Sequence, residues 1–133
     1  MMLNEVMDAI STRLDSIGGL RLFFPGEAIS PPAAVVLYPE TVTFDATYVR
    51  GMDRMSLPVS VVVGKVSDRS ALKQLSEYCN GSGAKSVKAV LESGTYDAFD
   101  TVRVESIDFD YVTHGGALLV EAMFTLDIAG QGA

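Results

Sequence analysis

The stretch VRVESIDFDYVTHGGALLVEAMFTLDI, residues 102–128, alternates apolar and polar side chains before and after the tripeptide at residues 114–116. Two alternating runs around a glycine-containing tripeptide are typical of antiparallel strands joined by a hairpin turn. The apolar phase changes between Val104 and Ile107, which predicts a β-bulge near Glu105 and Ser106. The stretch therefore predicts a long hairpin with one apolar face.

The same stretch contains the only histidine of the chain, His114, with Asp108 and Asp110 before it. Two carboxylates and an imidazole could bind a metal ion or act as acid and base, but only if one strand face carried all three. A turn at residues 114–116 would remove the histidine from that face, and no further His or Cys lies nearby to complete a metal site. We interpret the aspartates as solvent-facing and His114 as a turn residue. A small enzyme using these three residues is the alternative.

A second hairpin is predicted upstream of the first. Residues 42–49 and 55–63 both alternate apolar and polar side chains, and residues 50–53 between them are expected to turn. Pro58 has no N–H to donate, which favours a position near a sheet edge. A short apolar strand at residues 33–38 precedes this hairpin.

Helical periodicity marks three further segments. Apolar residues recur at helical spacing over residues 3–17, and a glycine pair ends that helix. Ser67 is the expected N-cap of a second helix, and a short third helix stops at Gly94. The order predicts an α+β fold: a mostly antiparallel sheet of about five strands, an N-terminal helix, and two helices between the third and fourth strands. Residues 1–133 are expected to form a single domain.

Composition restricts the function classes. The chain has 133 residues, of which 48% are hydrophobic and 20% charged, and a formal net charge of −7. An apolar chain of this size is typical of a subunit that buries surface against copies of itself, and its negative charge argues against attraction to phosphate backbones. The single cysteine excludes an internal disulfide and a multi-cysteine zinc site. No apolar run reaches the length of a membrane span, and acids near the N-terminus predict no export signal.

Two segments are candidates for contacts with a partner. Met52 and Met55 flank Asp53 and Arg54 at the expected tip of the upstream hairpin, where exposed apolar side chains are more often contacts than core. We predict that alanine at both methionines leaves a folded subunit that assembles poorly. Residues 23–32 are apolar, but their prolines exclude regular structure. The candidate contacts in that segment are Phe23, Phe24 and Ile29.

Acidic side chains concentrate on the predicted strands and their turns. Ordinary polar alternation accounts for this, but the polar face of a sheet repeated around a ring would also form an acidic surface. The acids concerned are Asp45, Glu105, Asp108, Asp110, Glu121 and Asp127.

Four segments follow the first helix in a familiar order. They are SPPAAVVLYPE (30–40), FDATYVRGMDRMSLPVSVVVGKVSDRSAL (44–72), YCNGSGAKSVKAVLE (78–92) and the hairpin at 102–128. This order resembles the tail terminator proteins of long-tailed (siphovirus-type) bacteriophages, particularly those infecting actinobacteria. The resemblance covers residues 4–129 and rests on overall arrangement, since none of the segments is a catalytic signature.

The resemblance implies a structural virion protein with no catalytic residues and no cofactor. Such proteins form a hexameric ring that caps the tail tube and joins it to the head–neck. The implied partners are copies of itself, the tail tube protein, a head–neck connector or stopper protein, and double-stranded DNA that passes through the lumen without specific binding. The implied location is the tail–neck junction of the virion, after assembly in the host cytoplasm, with no membrane partner.

In such a ring the six acids would line the lumen, and the two candidate segments would contact neighbouring subunits or rings. Another neck component, a head–tail adaptor or stopper, is the nearest alternative, because such proteins share this size and form acidic rings.

Overall fold

The computed structural model describes residues 1–27, 32–44, 52–65, 69–114 and 116–131, with His114 described by its backbone alone. The elements in these ranges are, in chain order, α1 (Leu3–Asp15), β1 (Arg21–Phe23), β2 (Ala33–Val36), β3 (Thr41–Thr43), β4 (Met52–Lys65), α2 (Arg69–Cys79), α3 (Val87–Glu92), β5 (Thr101–His114) and β6 (Ala117–Gln131). The six strands form one sheet in the order β1-β2-β4-β6-β5, and β3 pairs with β4 outside that path. Within these ranges β1 and β2 are parallel and every other pairing is antiparallel, which confirms an α+β fold with a mostly antiparallel sheet.

The C-terminal hairpin forms as β5 and β6, which pair over nearly their whole lengths. Their register shifts between Val104 and Ser106, so the predicted bulge is confirmed. The predicted turn is displaced, because His114 is the last residue of β5 and pairs with Ala117 instead of turning the chain. Gly116, the residue before Ala117, has a φ of +80°, in the left-handed region that favours glycine.

The upstream hairpin also forms, since β3 pairs antiparallel with the start of β4. Residues 45–51, predicted as the rest of its first arm and part of its turn, lie outside the described residues. Met52 and Asp53 belong to strand β4, although the sequence predicts a turn there. They are held in the sheet because β6 continues to pair with β4 as far as Gln131 opposite Met52.

A short parallel strand, β1, changes the strand count. It runs beside β2, and Arg21 donates its N–H to the carbonyl of Pro32 at 3.2 Å. The prediction of irregular structure is therefore wrong at Phe23, and α2 and α3 lie between the fourth and fifth strands. Three residues are too few to show a period, so no sequence pattern reveals β1.

Pro58 lies in a central strand, not near a sheet edge, and its position explains where β2 ends. β2 pairs with β4 up to Val36 opposite Val59. At the next pair, Leu37 donates its N–H to the Pro58 carbonyl at 3.0 Å, but proline has no N–H to return the second bond. The regular pairing stops there, and the chain resumes it in β3. Since the missing donor faces this gap, β4 keeps its pairing with β6 on the other side.

The helices pack on one face of the sheet because each has a buried apolar stripe. α1 contacts β1, β2 and α3, while α2 contacts β4 and α3 contacts β5. The N-terminus of α3 is capped by Ser86, whose hydroxyl accepts the N–H of Ala89 at 3.1 Å. Among the fully buried residues between helices and sheet are Val6, Ile10, Leu14, Leu57, Val59, Val61, Leu91, Phe124 and Leu126.

Candidate functional site

Four of the six predicted lumen acids share one face of the sheet. Asp108 and Asp110 on β5 lie opposite Met123 and Glu121 on β6, and Asp127 follows on β6 in the same side-chain phase. Residues two positions apart on a strand, and residues directly opposite in a pair, face the same side. The intervening residues of β6 belong to the core under the helices, so this side faces away from them. We call it the acidic face, defined by Asp108, Asp110, Glu121 and Asp127.

The acids near the hairpin turn accept hydrogen bonds from uncharged donors. Asp110 lies directly opposite Glu121. The Glu121 carboxylate accepts a hydrogen bond from the Ser60 hydroxyl at 2.9 Å, and the Asp110 carboxylate accepts one from the N–H of Tyr111 at 2.8 Å. Neither donor is charged, so neither bond neutralises a carboxylate. Because like charges directly opposite each other destabilise a strand pair, this arrangement lowers the stability of the hairpin and makes the surface locally negative.

Asp127 differs from these acids. Its carboxylate forms an ion pair with the guanidinium of Arg54 at 2.7 Å, which offsets its charge. Glu105 lies at the bulge of β5 and is exposed, and Asp45 lies outside the described residues. The negative part of the acidic face therefore consists of Asp108, Asp110 and Glu121, next to the turn of the β5–β6 hairpin.

The candidate contact residues at the start of β4 differ in their exposure. Met55 is 3% exposed and lies in the core, because it alternates with Leu57 on the helix-covered side. The expectation that it is an exposed tip residue is wrong, and replacing it would remove core volume. Asp53 is buried as well, whereas Met52 is half-buried and Arg54 is exposed. A partner contact through these residues stays a prediction, and Met52→Ala alone is the usable test of it.

A second exposed apolar site lies where β1 and β2 end. Phe24 is 69% exposed and Tyr38 68%, and since the two strands are parallel the chain leaves both at the same end. Glu27 closes the turn after β1: its N–H donates to the Phe24 carbonyl at 3.1 Å and its carboxylate accepts the Phe24 N–H at 3.3 Å. We call Phe24 and Tyr38 the aromatic edge. Of the other candidates in this segment, Phe23 is half-buried in β1 and Ile29 lies outside the described residues.

An apolar groove that the sequence does not predict separates α2 from the far end of β5. Phe109 and Tyr111 are 58% and 64% exposed, although they lie on the helix side of the sheet. Leu72 of α2 is 68% exposed and borders the groove. The groove has a volume of about 370 Å³ and continues into a depression of about 300 Å³. We call it the distal groove; its apolar lining includes Leu72, Leu75, Cys79, Phe109, Tyr111 and Val120.

The groove exists because the helices are short relative to the strands. A helix of 11 residues such as α2 is about 16 Å long, whereas the 14 residues of β5 extend over about 46 Å. An apolar stripe that runs the length of β5 must therefore emerge from under its cover. The length of β5 relative to α2 is the signal in the sequence that could have revealed the groove.

Cys79 borders the groove as a half-buried thiol. Burial raises the pKa of this thiol to about 11. It is therefore protonated at neutral pH and a poor nucleophile.

Asp108, Asp110 and His114 are spread along one strand. The register of β5 is unbroken from Ser106 to His114, so the strand runs through the position where a turn was expected. At about 3.3 Å per residue, the Cα atoms of Asp110 and His114 lie roughly 13 Å apart. In the ranges that the structure describes, no group of three metal-ligating side chains occurs. The spacing argues against a single metal or acid–base centre that uses all three residues.

Comparisons with known proteins identify no family for this chain. No family model matches it, and no curated protein does. A solved structure known only by a serial designation is 18% identical, covers 94% of this chain and 88% of that chain, and superposes with a TM-score of 0.42. No helix within the described residues is long and apolar enough to cross a membrane.

Proposed function

We propose that this chain is the tail terminator of a long-tailed bacteriophage. As a structural virion protein, it forms a hexameric ring that caps the tail tube and joins it to the head–neck, with an acidic lumen for the passage of DNA. The proposal starts from the order of segments in the sequence, which resembles that family. The single observation that supports it best is the acidic face.

The acidic face suits a conduit for DNA. A negative surface repels the phosphate backbone, so DNA slides past without adhering. Asp110 and Glu121 face the same side in directly opposite positions, which weakens the hairpin. One amide in place of either carboxylate would relieve that repulsion. The two opposing carboxylates therefore do not stabilise the isolated fold, whereas they add negative charge to a lumen.

The exposed apolar sites suit a ring subunit. Monomeric proteins rarely expose large contiguous apolar patches, and such patches mark interaction surfaces. The described residues include exposed apolar side chains at two places, the distal groove and the aromatic edge, on different parts of the sheet. A subunit with two neighbours needs two such surfaces.

The proposal includes no enzymatic activity. Asp108, Asp110 and His114 are too widely spaced along β5 to act on one reacting group, and the Cys79 thiol is protonated at neutral pH because burial raises its pKa. The polar side chains of the acidic face are instead arranged as a surface.

The test combines the purified chain with tail tubes assembled from the tail tube protein. Electron microscopy is expected to show six-fold rings at tube ends, and tubes that carry a ring are expected to stop elongating. Binding to a head–neck connector without binding to tube ends would assign the chain to the adaptors or stoppers. Failure to bind either partner would remove the proposal.

Charge-matched variants test whether the acidic face lines the lumen. Both variants remove three negative charges per subunit, one from the acidic face and one from exposed acids of α1. The lumen variant is D108N/D110N/E121Q, and the control is E5Q/D8N/D15N. Rings of the lumen variant are expected to retain linear double-stranded DNA at low salt, whereas wild-type and control rings release it. Equal retention by the two variants would contradict a lumen position for this face.

A further inference from the structure

We propose that copies of this chain associate head to tail, with the aromatic edge of one copy seated in the distal groove of the next. Closure of these contacts into a ring rests on the proposed function, whereas the pairing of the two surfaces is tested without it. The occupant of the groove is therefore a second copy of the chain, presenting Phe24 and Tyr38.

The two surfaces lie at opposite edges of the sheet. The aromatic edge follows β1 and β2, and the distal groove borders β5, which is the last strand at the other side. Four inter-strand spacings of about 4.8 Å place these edges roughly 19 Å apart. One copy can therefore make both contacts at the same time. A contact between two different surfaces is heterologous, and it generates a ring when the rotation closes.

The surfaces match in apolar character. The edge presents two aromatic side chains that are mostly exposed, and the groove is lined by leucine, valine and aromatic side chains. Aromatic side chains that enter apolar pockets are the usual anchors of protein interfaces. Each surface therefore supplies what the other lacks: two projecting rings on one side, and an apolar depression on the other.

The rim of the groove is positive, in contrast to the chain as a whole. Lys65 lines the groove, and Arg69 lies one turn before Leu72 on α2 and is exposed. Asp110 is also among the residues around the groove, but its side chain belongs to the acidic face on the other side of the sheet. Lys65 and Arg69 therefore place two positive charges at the groove of a chain whose formal net charge is −7.

The aromatic edge carries the opposite sign. Glu27 follows Phe24 and Glu40 follows Tyr38, and both glutamates are exposed. Arg21 lies on the same edge and is engaged in an interaction within the chain. The edge therefore has one net negative charge. Edge-to-edge or groove-to-groove pairing would bring like charges together, whereas edge-to-groove pairing brings opposite charges together.

Two single variants and their mixture test the pairing. Phe109→Asp blocks the groove and Phe24→Asp blocks the edge; both side chains are mostly exposed, so each subunit should fold. The two substitutions have the same sign, so they cannot form a new ion pair with each other. Phe44→Asp is the matched control, since Phe44 is equally exposed and belongs to neither surface.

Native mass measured over a concentration series gives the result. Each blocked variant alone is expected to associate about tenfold more weakly than the wild type, because an aromatic anchor is lost. The control is expected to associate normally. The equimolar mixture is expected to form a 1:1 dimer and nothing larger, because only one intact edge and one intact groove can meet.

Four outcomes would overturn the pairing. They are a wild-type chain that stays monomeric up to millimolar concentration, a mixture that remains monomeric, normal association of Phe24→Asp, and normal association of Phe109→Asp. The proposed function can fail while the pairing holds. If the mixture forms a 1:1 dimer but wild-type rings do not cap tail tubes, the pairing is supported and the terminator role is contradicted.

Discussion

The two halves of β5 share an alternating sequence pattern but differ in what covers them. In the near half, residues 101–104, α3 and the loop before the strand pack on the apolar side. Val104 is buried there, and its N–H donates to the Glu92 carboxylate at 2.9 Å. The rings of Tyr96 and Phe99 stack with centroids 4.4 Å apart, and the Tyr96 hydroxyl donates to the Leu91 carbonyl at 2.6 Å. The near half is therefore part of the core.

In the far half, residues 106–114, the same kind of side chain lies at the surface. Ile107 is half-buried, and beyond it Phe109 and Tyr111 face the distal groove. The change occurs past the bulge between Val104 and Ser106. Alternation therefore determines which side of a strand is apolar, whereas helix placement determines whether that side becomes core or stays exposed.

The largest effect on stability is expected from a substitution that uncovers the near half of β5. Leu91→Ala removes a fully buried side chain of α3 and is expected to lower the free energy of unfolding by about 2–5 kcal/mol. Urea denaturation followed by circular dichroism measures the change. A loss below about 1 kcal/mol would mean that α3 contributes little packing over β5.

A substitution at Glu92 tests the polar contact between α3 and β5. Burial opposes ionisation of its carboxyl, but the hydrogen bonds from Lys88 and Val104 and the charges of Lys88 and Arg103 outweigh burial, so the pKa lies below its usual 4.5. A lowered folded-state pKa means that the ionised group stabilises the fold above the usual pKa and loses this effect as the pH falls through the lower value. Glu92→Gln is expected to lower the free energy of unfolding by about 1 kcal/mol at neutral pH, and the difference from wild type should shrink in acid.

The control for this change is Glu77→Gln. Glu77 forms an ion pair with Lys85 at 3.6 Å in which both side chains are largely exposed, and such pairs contribute little. Urea denaturation at neutral and acidic pH separates the two cases. A gap between wild type and Glu92→Gln that stays constant with pH would contradict the assignment of the effect to the ionised carboxylate.

In the far half, removing a charge is expected to stabilise the hairpin. Asp110→Asn relieves the repulsion with Glu121 opposite, and the amide oxygen can still accept the Tyr111 N–H. The free energy of unfolding should rise by about 0.3–0.5 kcal/mol at low salt and by less at high salt. Asp108→Asn is the control, because Met123 lies opposite it. An equal gain in both variants would show that the directly opposite pair has no special role.

The smallest effect on the isolated subunit is expected at Leu72. Since this side chain is mostly exposed, Leu72→Ala should change the free energy of unfolding by less than about 0.5 kcal/mol, in contrast to Leu91→Ala. Association of subunits should nevertheless weaken, because Leu72 lines the distal groove. Denaturation at low protein concentration and native mass at high concentration separate the two effects. Unchanged association would remove Leu72 from the interface.

Much of the sheet could be predicted from the sequence because strand signals are local. The C-terminal hairpin and its bulge follow from the phase of apolar residues on either side of Glu105, and this information lies within the strand itself. The parallel strand β1 could not be predicted, since its stability comes from β2, ten residues further along the chain. His114 was predicted to lie in the turn but is the last residue of β5 and pairs with Ala117, because the alternating pattern does not fix the residue at which a strand ends.

The candidate surfaces could be predicted only in part. The acids Asp108, Asp110 and Glu121 share a face because alternation fixes it. Met55 was misplaced at a surface because its burial depends on how far β6 extends along β4. The distal groove was missed because it depends on which part of β5 the helices leave uncovered. Long-range packing decided each of these cases.

Pro58 has a further consequence, for the accuracy of strand pairing while the chain folds. A slip of β4 by one residue against β2 would turn its apolar side chains outward, so burial alone rejects it. A slip by two residues keeps every apolar side chain on the correct face, so burial does not reject it. In one direction, however, that slip brings Pro58 opposite Val35, inside the β2 ladder, where a carbonyl would lose its donor at a cost of about 1–3 kcal/mol. A single imino acid thus discriminates against a register error that hydrophobic burial cannot detect.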